Sequence, residues 1–204
     1  MSDLALYHPP GKSVNHSLSG HWVFLILVLL IAEPNFLLVL RVRGFRTRRQ
    51  VQVGEHRFSD VFTGLDDSPT LLRVFGTKTS MSKITRHLKL KVEGFDWGLW
   101  LDRDTGTVCI SRRYLESARL NFLYLDVVHV LVHVKQFLEG RELYDQSFEY
   151  VDRPTELEAY RYTIDEARRM GMNEDEILRY LRVDSVDDSE LGKLMEKIGV
   201  RARR

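Results

Sequence analysis

The apolar residues between Leu120 and Gly140 run almost without interruption, which predicts a helix through the core of a domain. Lys135 projects from one side of this helix, but four other polar residues and a glycine cluster nearly opposite it. At about 100° per residue they fall within about 80° of one another on the helix surface. They are Asp126, His129, His133 and Gln136, followed by Gly140. Because buried polar groups need partners, this narrow polar stripe predicts a functional site.

Shorter patterns before this helix predict a small sheet. The pieces VQVGEHRF (51–58) and TLLRVFGT (70–77) are strand-like and lie on either side of the turn-rich GLDDSP. Residues 84–92, ITRHLKLKV, alternate between apolar and basic positions, which is typical of a strand with one face in solvent. Trp97 to Leu101 and Thr107 to Ile110 predict a hairpin around the turn RDTG. These elements predict a small antiparallel or mixed sheet.

Three further helices are predicted after residue 150. Pro154 suits the first position of a helix over TELEAYRYTIDEARRM, which Gly171 ends. Asn173 and Glu176 have the spacing of a capping box at the start of NEDEILRYLR. A last helix, ELGKLMEKI, precedes Gly199. The chain after residue 50 therefore predicts an α+β fold, with a small sheet and hairpin, a buried helix and a C-terminal helical part.

The first 49 residues differ in character from the rest of the chain. Residues 1–20 are polar and rich in Gly, Pro and Ser, which predicts a flexible lead. Residues 22–40 are apolar apart from a Glu-Pro-Asn interruption, and as a helix this stretch would span about 28 Å. Five arginines follow between residues 41 and 49.

Two interpretations of residues 21–49 stay open. The segment could be a single membrane anchor, whose basic flank keeps the following domain on the cytoplasmic side. A charge and a proline near the middle are costly in lipid, which favours instead a hydrophobic helix or strand pair packed on the domain. The predicted organisation is a lead over 1–20, a hydrophobic segment over 21–49, and a domain over 50–204, either cytoplasmic or anchored to a membrane.

Charge and cysteine content narrow the classes of function. The 204 residues include 30 Lys and Arg and 29 Asp and Glu, and a net charge of +1 gives no overall case for nucleic-acid binding. Cys109 is the one cysteine, which excludes an internal disulfide and a cysteine-ligated zinc cluster. A metal ion would therefore be held by His, Asp or Glu side chains.

His129 and His133 are four residues apart, so both imidazoles project from one face of the predicted helix. This spacing suits two ligands of one metal ion, as in the H-E-x-x-H motif of zinc peptidases. The motif here reads HVLVH, and Val130 stands where the catalytic glutamate is expected. Valine cannot take a proton from a metal-bound water, and loss of a general base costs a factor of about 10² to 10⁴ in rate.

The chain resembles the gluzincin branch of the zincin metallopeptidases through LDVVHVLVHVKQF and PTELEAYR, within residues 97–170. Members often read H-E-L-V-H-V-x-Q, and six of those seven specified positions match. The resemblance implies a zincin-like fold with zinc held by His129, His133 and a glutamate on the next helix. In the thermolysin-like pattern that glutamate directly precedes an alanine, which favours Glu158 over Glu156 as the ligand. The chain departs from the pattern four residues after Glu158, where Tyr162 stands in place of the usual Asp.

Three functions are compatible with these residues. The favoured one is a metallopeptidase-like protein that has lost hydrolysis, retains zinc and binds a peptide or protein partner. The second is an active zinc hydrolase that uses another carboxylate as its base. The third is a metal-free domain in which His129 and His133 are hydrogen-bonded in the core to Glu158 or Asp126. If zinc is bound, Asp126 is expected to orient His129 through a hydrogen bond.

Overall fold

The computed structural model describes residues 44–182 and 187–201. The predictions for the lead over residues 1–20 and for the apolar stretch 22–40 lie outside the described residues. No helix within the described ranges combines the length and the apolar character needed to cross a bilayer. The described residues all fall in one structural unit, Leu38–Arg204.

A short ribbon at the start of the domain is held close by two glycines. Strand β1 (Arg46–Thr47) pairs antiparallel with β3 (Phe62–Thr63). Gly64 follows β3 with a φ of +73°, and a Cβ at this position would overlap the backbone of Gly44. Glycine is therefore required at residue 64 both for the left-handed backbone and for the close approach.

A four-stranded mixed sheet forms the β part of the domain. Its strands are β2 (Gly54–Arg57), β4 (Lys89–Glu93), β5 (Leu99–Leu101) and β6 (Val108–Ser111), in the order β2-β4-β6-β5. Strands β4 and β6 are parallel, whereas β2 and β5 are antiparallel to their neighbours. The predicted hairpin is confirmed as β5 and β6, and it leaves β5 at an edge of the sheet.

The strand predicted over residues 70–77 is wrong, because these residues form helix α2 (Pro69–Phe75), after the single turn α1 (Phe58–Val61). The side chain of Ser68 accepts a hydrogen bond from the N–H of Leu71, and proline occupies the first turn. Leu71, Val74 and Phe75 are buried, at the helical spacing of three and four residues. The cap and this spacing outweigh the strand-like composition.

The strand predicted over residues 84–92 is correct only in its second half. Residues 84–87 end helix α3 (Lys78–His87), which starts at a Thr77 cap whose side chain accepts from the N–H of Ser80. Strand β4 begins at Lys89, and there the predicted alternation of exposed and buried side chains is observed. A helical turn followed at once by a strand gives a mixed pattern that a single period cannot describe.

The predicted core helix is confirmed as α5 (Leu120–Leu138), which follows the short α4 (Arg112–Ser117). Most of its apolar side chains are buried. Helix α5 packs against β5 and against helix α6 (Pro154–Arg169), which follows a 3₁₀ turn over Tyr150–Asp152. The long helix therefore lies between the sheet and the C-terminal helices.

The C-terminal helices begin and end where the sequence predicts. Helix α6 starts with Pro154, and α7 (Glu174–Leu181) starts with the predicted capping box, in which the side chains of Asn173 and Glu176 bond each other's backbone N–H. Helix α8 (Asp188–Ile198) is followed by Gly199 in the left-handed conformation. The described residues thus have an α+β fold, as predicted, and the zincin-like arrangement stays a prediction.

One buried carboxylate ties three helices together. Glu166 on α6 accepts hydrogen bonds from the hydroxyls of Thr70, at 2.7 Å, and of Tyr124 on α5. It also pairs with Arg169, one turn further along α6. Because Glu166 is fully buried, these partners are what makes its charge tolerable in the core. The contacts fix α2 and α5 relative to α6, the helix that carries the third residue of the site described next.

Candidate metal centre

The polar stripe of α5 places the two imidazoles side by side. The Nε2 atoms of His129 and His133 lie 3.0 Å apart. Their side chains are 16% and 11% exposed, so the pair lies at the edge of the core. Val130, Leu131 and Val132, between them, are buried. Burial of these intervening residues fixes the rotation of the helix and hence the direction in which both imidazoles point.

Helix α6 brings a carboxylate to this pair. Glu156 lies in the first turn of α6, and its side chain is 7% exposed. Its Oε2 atom is 3.3 Å from Nε2 of His129 and 3.4 Å from Nε2 of His133. The three atoms therefore form a nearly equilateral triangle, and the three side chains together could hold a metal ion.

The triangle has the dimensions of a zinc site. Nitrogen and oxygen ligands lie about 2.0–2.1 Å from zinc, so two ligand atoms of a tetrahedral ion are about 3.3 Å apart. The separations of 3.0, 3.3 and 3.4 Å in the cluster lie around that value. Two imidazoles and one carboxylate also match the donor set of zinc sites that keep a fourth position for water. The residues present therefore fit a zinc ion.

Hydrogen bonds alone do not complete this cluster. The two Nε2 atoms can share one proton, and Oε2 of Glu156 can pair with an imidazole only when that imidazole is protonated; neither Oε2 nor Nδ1 of His129 makes a well-aligned hydrogen bond among the described residues. A buried acceptor without a donor costs about 1–3 kcal/mol, and more when it is charged. A cation between the three ligand atoms would satisfy Oε2 and both Nε2 atoms together. The Nδ1 atom of His129 would remain without a partner.

The electrostatics of the cluster also suit a cation. Burial works against the ionised form of Glu156, but the two imidazoles outweigh burial and hold the pKa of Glu156 well below its usual range. Burial likewise opposes a charged His133, yet Glu156 and Gln136 together raise the pKa of His133 above its ordinary value, so a metal ion would have to displace a proton from Nε2 of His133. The carboxylate is therefore ionised at neutral pH, as a metal ligand has to be.

Gln136, the next residue of the polar stripe, holds His133 in place. Its Oε1 atom lies 2.8 Å from Nδ1 of His133, and its Nε2 donates to the backbone carbonyl of Thr155 and to Glu158. The amide oxygen can only accept, so Nδ1 of His133 carries the proton and Nε2 is left free to bind a metal. This arrangement is how metal-binding histidines are commonly oriented.

The structure brings Glu156, and not Glu158, to the two imidazoles. Glu158 pairs with Arg141 and accepts a hydrogen bond from Gln136, and its side chain is 38% exposed. Residues two apart on a helix point in directions about 200° apart, so the two glutamates cannot share a site. The sequence-based preference for Glu158 as a ligand is thus corrected to Glu156.

Asp126 also differs from its predicted role. Its carboxylate accepts hydrogen bonds from the hydroxyls of Tyr114 on α4 and Tyr180 on α7. Nδ1 is the ring nitrogen of His129 that does not face the cluster, and it has no hydrogen-bond partner in the described part of the chain. Asp126 therefore links α5 to its neighbouring helices instead of orienting the histidine.

Two tyrosines adjoin the site without having been predicted there. The ring of Tyr160 on α6 contacts that of His129 edge to face, with centroids 4.6 Å apart. The hydroxyls of Tyr150 and Tyr160 are 2.9 Å apart. Tyr160 follows Glu156 by four residues, so helical spacing alone would place the two on one face. Tyr150 begins the 3₁₀ turn before α6, and no pattern in the sequence places it near the site.

The role of Gln136 leads to a prediction. Gln136→Leu is expected to lower zinc affinity by about 10–100-fold, because His133 loses the partner that fixes its ring and tautomer. The stoichiometry should stay at one zinc per chain, because all three ligands remain. Titration against a chelator of known affinity would measure the change. Affinity equal to that of the wild type would show that Gln136 does not orient His133.

Comparison with known proteins assigns no family. No family model matches the chain, and no curated protein and no solved structure matches it significantly. The resemblance to gluzincin peptidases therefore stays a prediction. Support for a metal centre comes from the geometry of His129, His133 and Glu156.

Proposed function

We propose that this protein is a zinc-binding, zincin-like domain that has lost peptide hydrolysis and acts by binding a peptide or protein partner. One observation carries the proposal: His129, His133 and Glu156 present three ligand atoms at zinc-site spacing, beside a valine at the position of the catalytic base. The ligands are those of a zinc hydrolase, and the proton-transfer group is missing.

Each residue of the cluster has a definite task in this proposal. His129, His133 and Glu156 would hold the ion, and Gln136 keeps Nδ1 of His133 protonated. Zinc, when bound, would polarise a water or carbonyl oxygen at its fourth position. Hydrolysis needs in addition a carboxylate that takes the proton of that water and passes it to the leaving amine. Val130 is apolar and 2% exposed, so it cannot do this.

Other carboxylates that could replace the missing base have different partners. Asp126 is held by two tyrosines, and Glu139 pairs with Lys135, which the sequence places nearly opposite the polar stripe. Glu142 accepts a hydrogen bond from a backbone N–H in its own loop. These contacts favour loss of hydrolysis over an active enzyme with a displaced base.

The edge strand β5 supports a peptide as partner. Gly98 and Asp102 make backbone hydrogen bonds to β6, so by alternation the backbone groups of Leu99 and Leu101 point away from β6. The hydroxyl of Tyr144 already donates to the carbonyl of Leu101, so a peptide would have to pair with the remaining groups of this edge, chiefly those of Leu99. An extended peptide could add to such an edge as a further strand. Because β5 packs on α5, a peptide there would lie near the cluster.

Restoring the missing carboxylate tests the proposal. Val130→Glu is expected to give metal-dependent cleavage of an unstructured peptide such as casein, whereas the wild type and Val130→Gln are expected to give none. Glutamine is the matched control, because it has the shape of glutamate but cannot act as a base. All three proteins should bind one zinc per chain, and peptide cleavage would be followed by mass spectrometry.

Three results would contradict the proposal. Cleavage by the wild type that His133→Ala abolishes would show an active enzyme. Absence of zinc binding by folded wild type would remove the metal centre. A folded, zinc-loaded Val130→Glu protein without activity would contradict the zincin-like placement of residue 130. If residue 130 does not tolerate a polar side chain, the first two measurements on the wild type still decide the matter.

A further inference from the structure

One face of helix α3 forms an open groove of about 530 Å³, separate from the metal centre. Its lining is mostly basic or hydroxyl-bearing and comprises Lys78, Thr79, Ser82, Lys83, Arg86 and His87, together with one acidic residue, Asp66. The groove continues into a smaller one of about 200 Å³ beside the β3 end of the ribbon, lined by Thr63 and Gly64 among others. Asp66, Ser82 and Arg86 line both grooves.

Two segments of the sequence that are free of acidic residues include helix α3 and strand β1. Between residues 78 and 91 the sequence has five Lys or Arg and no Asp or Glu, and the same holds between residues 41 and 52. The second segment includes β1, where the exposed Arg46 pairs with Thr63 of the groove lining. The chain as a whole has a net charge of +1, so each of these two segments is more basic than the chain average.

Three Lys or Arg side chains line the groove, and two of them form no ion pair with the described residues. Lys78 pairs with Asp67 at the surface. Lys83 and Arg86 are exposed and form no ion pair within the described ranges, although both line the groove. Unpaired Lys and Arg side chains on one helix face are available to an external anion.

The sequence before Gly44 indicates that this anion is the headgroup layer of a membrane. Gly44, the first described residue, lies against Gly64 at the rim of the groove. The sequence immediately before it contains the apolar stretch 22–40, which is close to the length needed to span a bilayer. Three residues separate Leu40 from Gly44, so a bilayer that holds this stretch would begin within about 14 Å of chain from the groove rim. Anionic lipids attract such juxtamembrane basic residues.

We infer that the α3 face, defined by Lys78, Lys83, Arg86 and the neighbouring Arg46, docks on an anionic bilayer surface. The partner is the layer of anionic phospholipid headgroups. Nucleic acids and acidic proteins are the alternatives that the experiment has to exclude. This inference does not depend on zinc binding.

Quenching by lipid in nanodiscs tests the inference on the full chain. A fluorescent label is attached at Thr79→Cys in the groove or at Ser189→Cys on α8. The native Cys109 should not react with the label, because it is only 4% exposed. Quenching by headgroup-nitroxide lipid is expected at residue 79, and not at 189, in nanodiscs with 30% phosphatidylserine as a chosen composition. Neutral nanodiscs should give much less. Lys83→Gln with Arg86→Gln should lower the ratio of docked to undocked protein by about 30-fold.

A charge-matched control separates the groove from general electrostatics. Arg179→Gln with Arg182→Gln removes the same charge from the end of α7 and should leave quenching at residue 79 unchanged. Equal quenching in neutral and anionic nanodiscs, no effect of the groove variant, or failure of the chain to associate with nanodiscs would each overturn the inference. Protection of residue 79 by an RNA oligonucleotide but not by anionic lipid would overturn it too.

Discussion

Glu156→Gln is expected to weaken zinc binding by more than about 100-fold at pH 7, because it removes a charged ligand and not merely a group that orients one. The amide cannot replace the carboxylate as a strong oxygen donor. Two imidazoles alone would then hold the ion. A competition titration against a chelator of known affinity would measure the loss.

Glu158→Gln is the matched control for this prediction. It makes the same chemical change two residues further along α6, on a carboxylate that pairs with Arg141 and reaches His133 only through Gln136. Its effect on zinc affinity should stay below about 10-fold. Equal losses in the two variants, or a larger loss for Glu158→Gln, would mean that Glu156 is not the third ligand.

Glu166→Ala should lower the free energy of unfolding by about 2–5 kcal/mol, since it removes a fully buried carboxylate that accepts hydrogen bonds from two other helices. The change leaves the hydroxyls of Thr70 and Tyr124 without their acceptor and removes the carboxylate that Arg169 contacts. It also opens a cavity where α2, α5 and α6 meet. Urea denaturation monitored by circular dichroism would measure the difference.

Asp165→Ala is the control for Glu166→Ala, because it removes the neighbouring carboxylate on the same helix. Asp165 is 52% exposed and pairs with Arg73 at the surface, so the cost should be below about 1 kcal/mol. Comparable destabilisation by the two substitutions would show that the buried network does not tie the helices together.

The Glu166 contribution should also depend on pH. Burial works against its charged form, but Arg169, Tyr124 and Thr70 outweigh burial and hold the pKa of Glu166 below its usual value. A lowered folded-state pKa adds stability that is present above the unfolded pKa, about 4.3, and is lost as pH falls through the folded value. The difference between wild type and Glu166→Ala should therefore narrow below about pH 4.

Local pattern was sufficient for the elements that are long or have clear caps. Helix α5 is long and apolar enough to be predicted from the sequence alone, and the capping box of Asn173 and Glu176 marks the start of α7. Short apolar runs were ambiguous: residues 70–77 look strand-like in composition, yet Ser68 and Pro69 are helix-start signals. The Ser68 cap and Pro69 are stronger indications of secondary structure at this point than the composition of the following residues.

The site was predictable in part. The helical period of α5 is enough to bring His129 and His133 together. The choice between Glu156 and Glu158 depends on how α6 is rotated, which is set by packing between helices. Glu156 precedes the buried Tyr160 by four residues, so helical spacing favours it, whereas the family pattern of glutamate before alanine favoured Glu158. For this chain the spacing was the better guide.

The partners of Asp126 could not be read from the sequence. Tyr114 lies 12 residues before Asp126 and Tyr180 lies 54 residues after it, and both contact Asp126 through packing between helices. The valine at residue 130, where the gluzincin pattern has glutamate, is in contrast visible in the sequence.

The zinc content of the full-length wild type, by elemental analysis after removal of loosely bound metal, would be the most decisive measurement, with His133→Ala as control. We expect close to one zinc per chain in the wild type and a large loss in the variant. A folded wild type without zinc would contradict the metal centre, and His129, His133 and Glu156 would then be a metal-free polar cluster.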